Sequence, residues 1–103
     1  MNIRRLKRLR GKLNNLRRKG GIKSSEVETL AKALGRVRHH TRGKEPTWIS
    51  KEFKELRPLS IPHHSADLNR FTAASILDQL EGDIEKYEET LETEREANQD
   101  EEY

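Results

Sequence analysis

Four histidines stand in two adjacent pairs, His39-His40 and His63-His64. Histidine changes charge near neutrality, so it is the side chain best suited to take a proton from one oxygen and return it to another. Around the first pair lie Arg36, Arg38, Arg42 and Lys44, cations of the kind that hold phosphate groups. Glu45 follows them as a further proton acceptor. Bases for proton transfer beside cations for a phosphodiester are what metal-free RNA cleavage requires. If the chain cuts RNA, His40 and either His64 or Glu45 are expected to carry the proton. No spacing of histidines and carboxylates matches a closed metal site, so neither a metal nor another cofactor is expected. The chain has no cysteine, which excludes disulfide and thiolate chemistry.

Each group also has a purely structural role open to it. Neighbours on a strand point to opposite faces, so one of His39 and His40 is expected to be at least partly buried. His63 or His64 could bond the loop at Ser65 and Asp67. Trp48, the single tryptophan, is expected in the core rather than stacked on a base.

The elements that must position these groups follow from periodicity. Ile3, Leu6, Leu9, Leu13 and Leu16 recur at steps of three and four, which predicts a helix over residues 3–19 ended by Gly20-Gly21. Ser25 and Glu28 form a capping-box pattern that opens a second helix over about 25–34, closed by Gly35. Alternation over 36–42 predicts a strand with Val37, His39 and Thr41 on one side and a solvated basic face of Arg36, Arg38, His40 and Arg42 on the other. Thr47–Ser50 reads as a second strand. Leu59 and Ile61 read as a short third strand confined to an edge by Pro58 and Pro62. Thr72 is expected to cap a last helix over about 73–98, in which Leu77, Leu80, Ile84, Tyr87 and Leu91 form a heptad stripe. Helix, helix, three strands, helix is the order of a two-layer α+β domain with a three-stranded antiparallel sheet covered on one face by helices.

At 103 residues and 31% hydrophobic content, a single domain with a modest core is expected. Its net charge of +3 conceals a split. Residues 1–44 carry 15 Lys or Arg against 2 acids, and residues 45–103 carry 6 against 16. No apolar run approaches the ~20 residues that cross a bilayer, and the basic start lacks an apolar stretch behind it. A cytoplasmic protein without membrane contact is expected.

The segment 24–81 resembles the HicA family of bacterial toxins. Ser60-Ile61-Pro62-His63-His64 is similar to the family's third-strand ending, Val/Ile-Pro-x-His. Thr72, Ser75, Ile76, Leu77 and Leu80 match its last helix, and Ser25 to Gly35 its first. The resemblance implies a fold like the double-stranded RNA-binding domain. It also implies ribonuclease activity on messenger RNA, independent of the ribosome and neutralised by a HicB-like antitoxin. The family's catalytic histidine follows a glycine turn on the second strand. Here Gly43 matches the glycine, but Lys44, Glu45 and Pro46 occupy the Ser-His-His positions, so that histidine has no counterpart. A noncatalytic RNA-binding or protein-interaction domain of the same fold is the alternative.

Two additions flank the 24–81 core: a basic helical extension over 1–22 and an acidic one over 82–103. Two readings are open to the first: its arginines and lysines bind nucleic acid, or, as the favoured expectation, its leucine stripe (Leu6, Leu9, Leu13, Leu16) packs on Leu80, Ile84, Tyr87 and Leu91, with its cations meeting Glu81, Glu85, Glu88, Glu89 and Glu92. That seam could close within one chain or between the subunits of a homodimer.

Overall fold

The computed structural model describes residues 1–39 and 46–101, with side chains through residue 95. Its elements are α1 (Ile3–Arg18), α2 (Ser24–Ala33), β1 (Arg36–His39), β2 (Thr47–Ser50), β3 (Leu59–Ser60) and α3 (Arg70–Glu101). The strands form one antiparallel sheet in the order β1-β2-β3, so the architecture is α+β.

Asn2 opens α1 by accepting the Arg5 backbone N–H, 2.8 Å away. The chain then reverses at Gly21, whose φ of 75° favours glycine. A Cβ there would meet Asp67 Oδ2 at 2.6 Å. The next residue, Ile22, is tied through its carbonyl to the Leu68 N–H. The capping pattern expected at Ser25 and Glu28 is not used. Instead the Glu26 carboxylate accepts the Lys23 backbone N–H at 3.0 Å, so α2 starts at Ser24. Lys19 Nζ and the Lys23 N–H together hold the Glu26 carboxyl below the usual carboxylate range. Gly35 ends α2 with φ 86°, close to the Tyr87 hydroxyl.

The last helix starts earlier than Thr72. Asn69 Oδ1 accepts the Phe71 N–H at 2.8 Å and takes the capping role expected of Thr72. The helix continues three residues past the expected end, to Glu101.

The basic extension is an integral wall of the core. Leu6, Leu9 and Leu13 are buried to within 2% of full enclosure and join Leu80, Ile84 and Tyr87 in one cluster, with Leu16 and Leu91 half-buried against it. The seam therefore closes within one chain. Two α1 cations flank it: Arg10 reaches Glu88 at 2.5 Å, and Arg17 reaches Asp78 at 2.8 Å and Glu81 at 2.7 Å. Burial opposes the charge on Arg17, but its hydrogen bonds to the two carboxylates outweigh this and raise its pKa. Glu85, Glu89 and Glu92 stay exposed.

The sheet faces correct one expectation. Arg36 pairs across from Ser50 and Arg38 from Trp48, while Trp48 lies opposite Leu59. Trp48, Ser50 and Leu59 are buried, so these positions form the core side of the sheet. The open side carries Val37, His39, Thr47, Ile49 and Ser60. Arg36 is thus not on a solvated face. It is 3% exposed, and its guanidinium clasps Asp83 of α3 through two bonds, Nε to Oδ2 at 2.7 Å and Nη2 to Oδ1 at 2.9 Å. Its Nη1 donates to the Trp48 and Arg57 carbonyls. A buried arginine stays charged, so a carboxylate opposite it decides which way the strand faces.

Candidate functional site

The predicted site residues separate into three groups. His40, Arg42, Lys44 and Glu45 lie outside the described residues. Arg36 is buried, its guanidinium bonded to Asp83 rather than open to solvent. Arg38 and His64 remain exposed. His64 donates from Nδ1 to the Ala66 carbonyl at 3.0 Å, a bond within its own loop made to neither Ser65 nor Asp67. His39 is exposed on the open side of the sheet.

The other member of the second pair has a different setting. His63 Nδ1 lies 2.9 Å from Glu28 Oε1 of α2. The histidine side chain is 60% exposed, whereas the Glu28 side chain is only 13% exposed. Three α2 residues at steps of four explain how this contact forms, because such residues share one helical face. Ser24 Oγ donates to the Pro62 carbonyl and pins the end of β3 to the start of α2. Glu28, one turn on, then meets His63. Lys32, a further turn on, lies over the Trp48 ring with Nζ 5.7 Å from its centroid. The sequence does not single out Glu28 as a site residue, because its spacing from Ser25 reads as a helix cap. Only the fold shows that its carboxylate turns toward the strand end.

A cleft of about 380 Å³ lies between α2 and β1, lined by Glu28, Lys32, Arg36, Val37, Arg38 and Trp48; His63 is joined to it through its contact with Glu28. Lys32 and Arg38 supply exposed cations at its walls. The Trp48 Nε1–H is buried and has no hydrogen-bond partner among the described residues. A buried donor left this way is costly.

A larger cleft of about 860 Å³ runs between the β3 edge and α3, with Arg57, Ser60, Phe71 and Ser75 among its lining. Phe71 is 82% exposed there. Among the described residues the cleft's lining carboxylate is Asp78, which is already engaged by Arg17, so the described lining offers shape and an aromatic surface.

Among the described residues no three His, Asp or Glu side chains are grouped as metal ligands. No described helix is long and apolar enough to cross a membrane. Comparison of the chain with family models, curated proteins and solved structures gives no match.

Proposed function

We propose that this chain is an RNA-binding protein of HicA-like build, a toxin that cuts messenger RNA and is held inactive by a HicB-like antitoxin. The observation that carries the proposal is the order α2-β1-β2-β3-α3 with Ile61-Pro62-His63-His64 leaving the third strand. A double-stranded-RNA-binding-domain-like arrangement is the finer fold that goes with it. Exposed Arg38 and Lys32 flank a cleft and suit phosphate oxygens, which dominate protein contacts to nucleic acid.

Expression of the chain alone is expected to arrest growth and fragment messenger RNA. Co-expression with a HicB-like partner should restore both. Purified protein should bind RNA with an affinity that falls steeply as salt rises, because displaced counterions accompany each phosphate contact. Normal growth with intact RNA would exclude the toxin.

A noncatalytic RNA-binding domain of the same fold is the second proposal. Lys44, Glu45 and Pro46 at the family's catalytic-histidine positions favour it. It predicts salt-sensitive binding without cleavage. A third version, assembly through the terminal helices, has less support, because their apolar seam is already enclosed within one chain.

A further inference from the structure

We propose that His63 and Glu28 form the proton-transfer pair of an RNA-cleaving site whose phosphate-holding cations are Lys32 and Arg38. The inference rests on the RNA reading above and adds to it a specific base and its positioning partner, on α2 and the β3 end rather than on the second strand.

The argument begins with the Glu28 carboxylate. It is largely withdrawn from water, and burying a carboxylate is costly without a partner. Its described partner is a single exposed histidine. That contact assigns the imidazole tautomer: with Nδ1–H donated to Oε1, the neutral ring keeps its lone pair on Nε2. A histidine held by a carboxylate through one nitrogen and open at the other is oriented to accept a proton. The Ser24–Pro62 bond fixes the strand end that carries the ring, so the geometry does not depend on a free loop. Lys32 stands one turn from Glu28 on the same helical face, and Arg38 lines the same cleft.

The chemistry these groups suit is transesterification of an RNA phosphodiester. His63 Nε2 takes the proton of a ribose 2′-hydroxyl. The 2′-oxygen forms a bond to phosphorus as the bond from phosphorus to the 5′-oxygen breaks. The departing 5′-oxygen takes a proton from a solvent water, and the resulting hydroxide is neutralised by the proton held on His63. The products are a 2′,3′-cyclic phosphate and a 5′-hydroxyl end. Lys32 and Arg38 would bear on the non-bridging oxygens, where negative charge grows in the transition state.

The test uses the purified full chain and an end-labelled single-stranded RNA, with binding followed by fluorescence anisotropy and cleavage by gel with end-group analysis. The wild type should bind, cut and leave cyclic-phosphate ends, and a 2′-deoxy substitution at the cut site should block cutting. H63A should retain binding and lose cleavage by about 100-fold or more, the usual scale for removing a general base. E28Q should lower kcat by a smaller factor with KM unchanged, which a merely structural role would not produce. K32M should raise KM. Cleavage by H63A at the wild-type rate would overturn the assignment. Binding without cleavage by the wild type would also overturn it while leaving the RNA reading standing. Absence of binding at low salt would remove the RNA reading and this site with it.

Discussion

Tyr87 and Gly35 define what single side chains do at the centre of this molecule. The Tyr87 hydroxyl donates to the Leu34 carbonyl at 2.9 Å, at the end of α2, and its ring meets Phe53 edge-on with centroids 4.7 Å apart. Burial pushes its pKa up, and the carboxylates of Glu52 and Asp83 act in the same direction. Below the ordinary tyrosine pKa the ring is neutral whether folded or unfolded. Above it the unfolded chain ionises while the folded one resists, so stability is lost as pH rises from about 10. Tyr87→Phe should cost about 1 kcal/mol at neutral pH through the lost hydrogen bond. It should also show a shallower alkaline loss than the wild type in urea titrations between about pH 9 and 11. Glycines make a contrasting pair. Gly35→Ala would place a methyl 2.8 Å from the Tyr87 hydroxyl at a positive φ and should destabilise. Gly11 lies inside α1 with nothing within 4 Å of a Cβ, so Gly11→Ala should add about 0.5–1 kcal/mol, read as a raised Tm. At this scale the sequence announced types well and partners poorly. Trp48 as core was legible from its place in a short strand. The burial of Arg36 was not, because alternation defines two faces without saying which one meets a helix, and Asp83 is 47 residues away.

Each element owes its position to a few long-range ties, and the Arg36–Asp83 pair joins two of them. It locks β1 to the middle of α3, with both side chains 2% exposed or less. Removing one partner strands the other charge in a low-dielectric interior. Asp83→Ala should therefore cost about 3–5 kcal/mol, a large fraction of the ~5–15 kcal/mol that holds a small domain together. Replacing both partners, as in R36M/D83L, leaves no orphan charge and should be less destabilising than Asp83→Ala in the same urea titration, although the Trp48 and Arg57 carbonyls still lose a donor. The elements themselves were largely legible. The leucine spacing predicts α1, Thr47–Ser50 appears as β2, and the prolines keep β3 short and at an edge. Helix starts were less so. Several Ser, Thr, Asn and Glu residues near each start can cap, and tertiary ties such as Ser24 to Pro62 and Leu68 to Ile22 select among them.

For the whole molecule, the opposed charges of the two ends become an internal arrangement, with α1 and α3 side by side and Arg10 and Arg17 reaching across to Asp78, Glu81 and Glu88. Charge and apolar burial both act at this seam, and their magnitudes differ. Ion pairs this exposed contribute ~0–1 kcal/mol each and weaken with salt. A leucine as enclosed as Leu13, at 0% exposure, contributes several times more. Leu13→Ala should cost about 2–5 kcal/mol, with little change between low and high salt. Arg17→Ala should cost less than about 1 kcal/mol, a difference that shrinks at about 1 M salt. The comparison is decisive because both residues lie on the same helix and face the same partner. A leucine-dominated seam makes α1 part of one cooperative fold, so Leu13→Ala should shift the near-UV signal of Trp48 and the far-UV helix signal at one midpoint. Two separated transitions, with the helix signal lost first, would instead mark α1 as an appendage tethered mainly by charge.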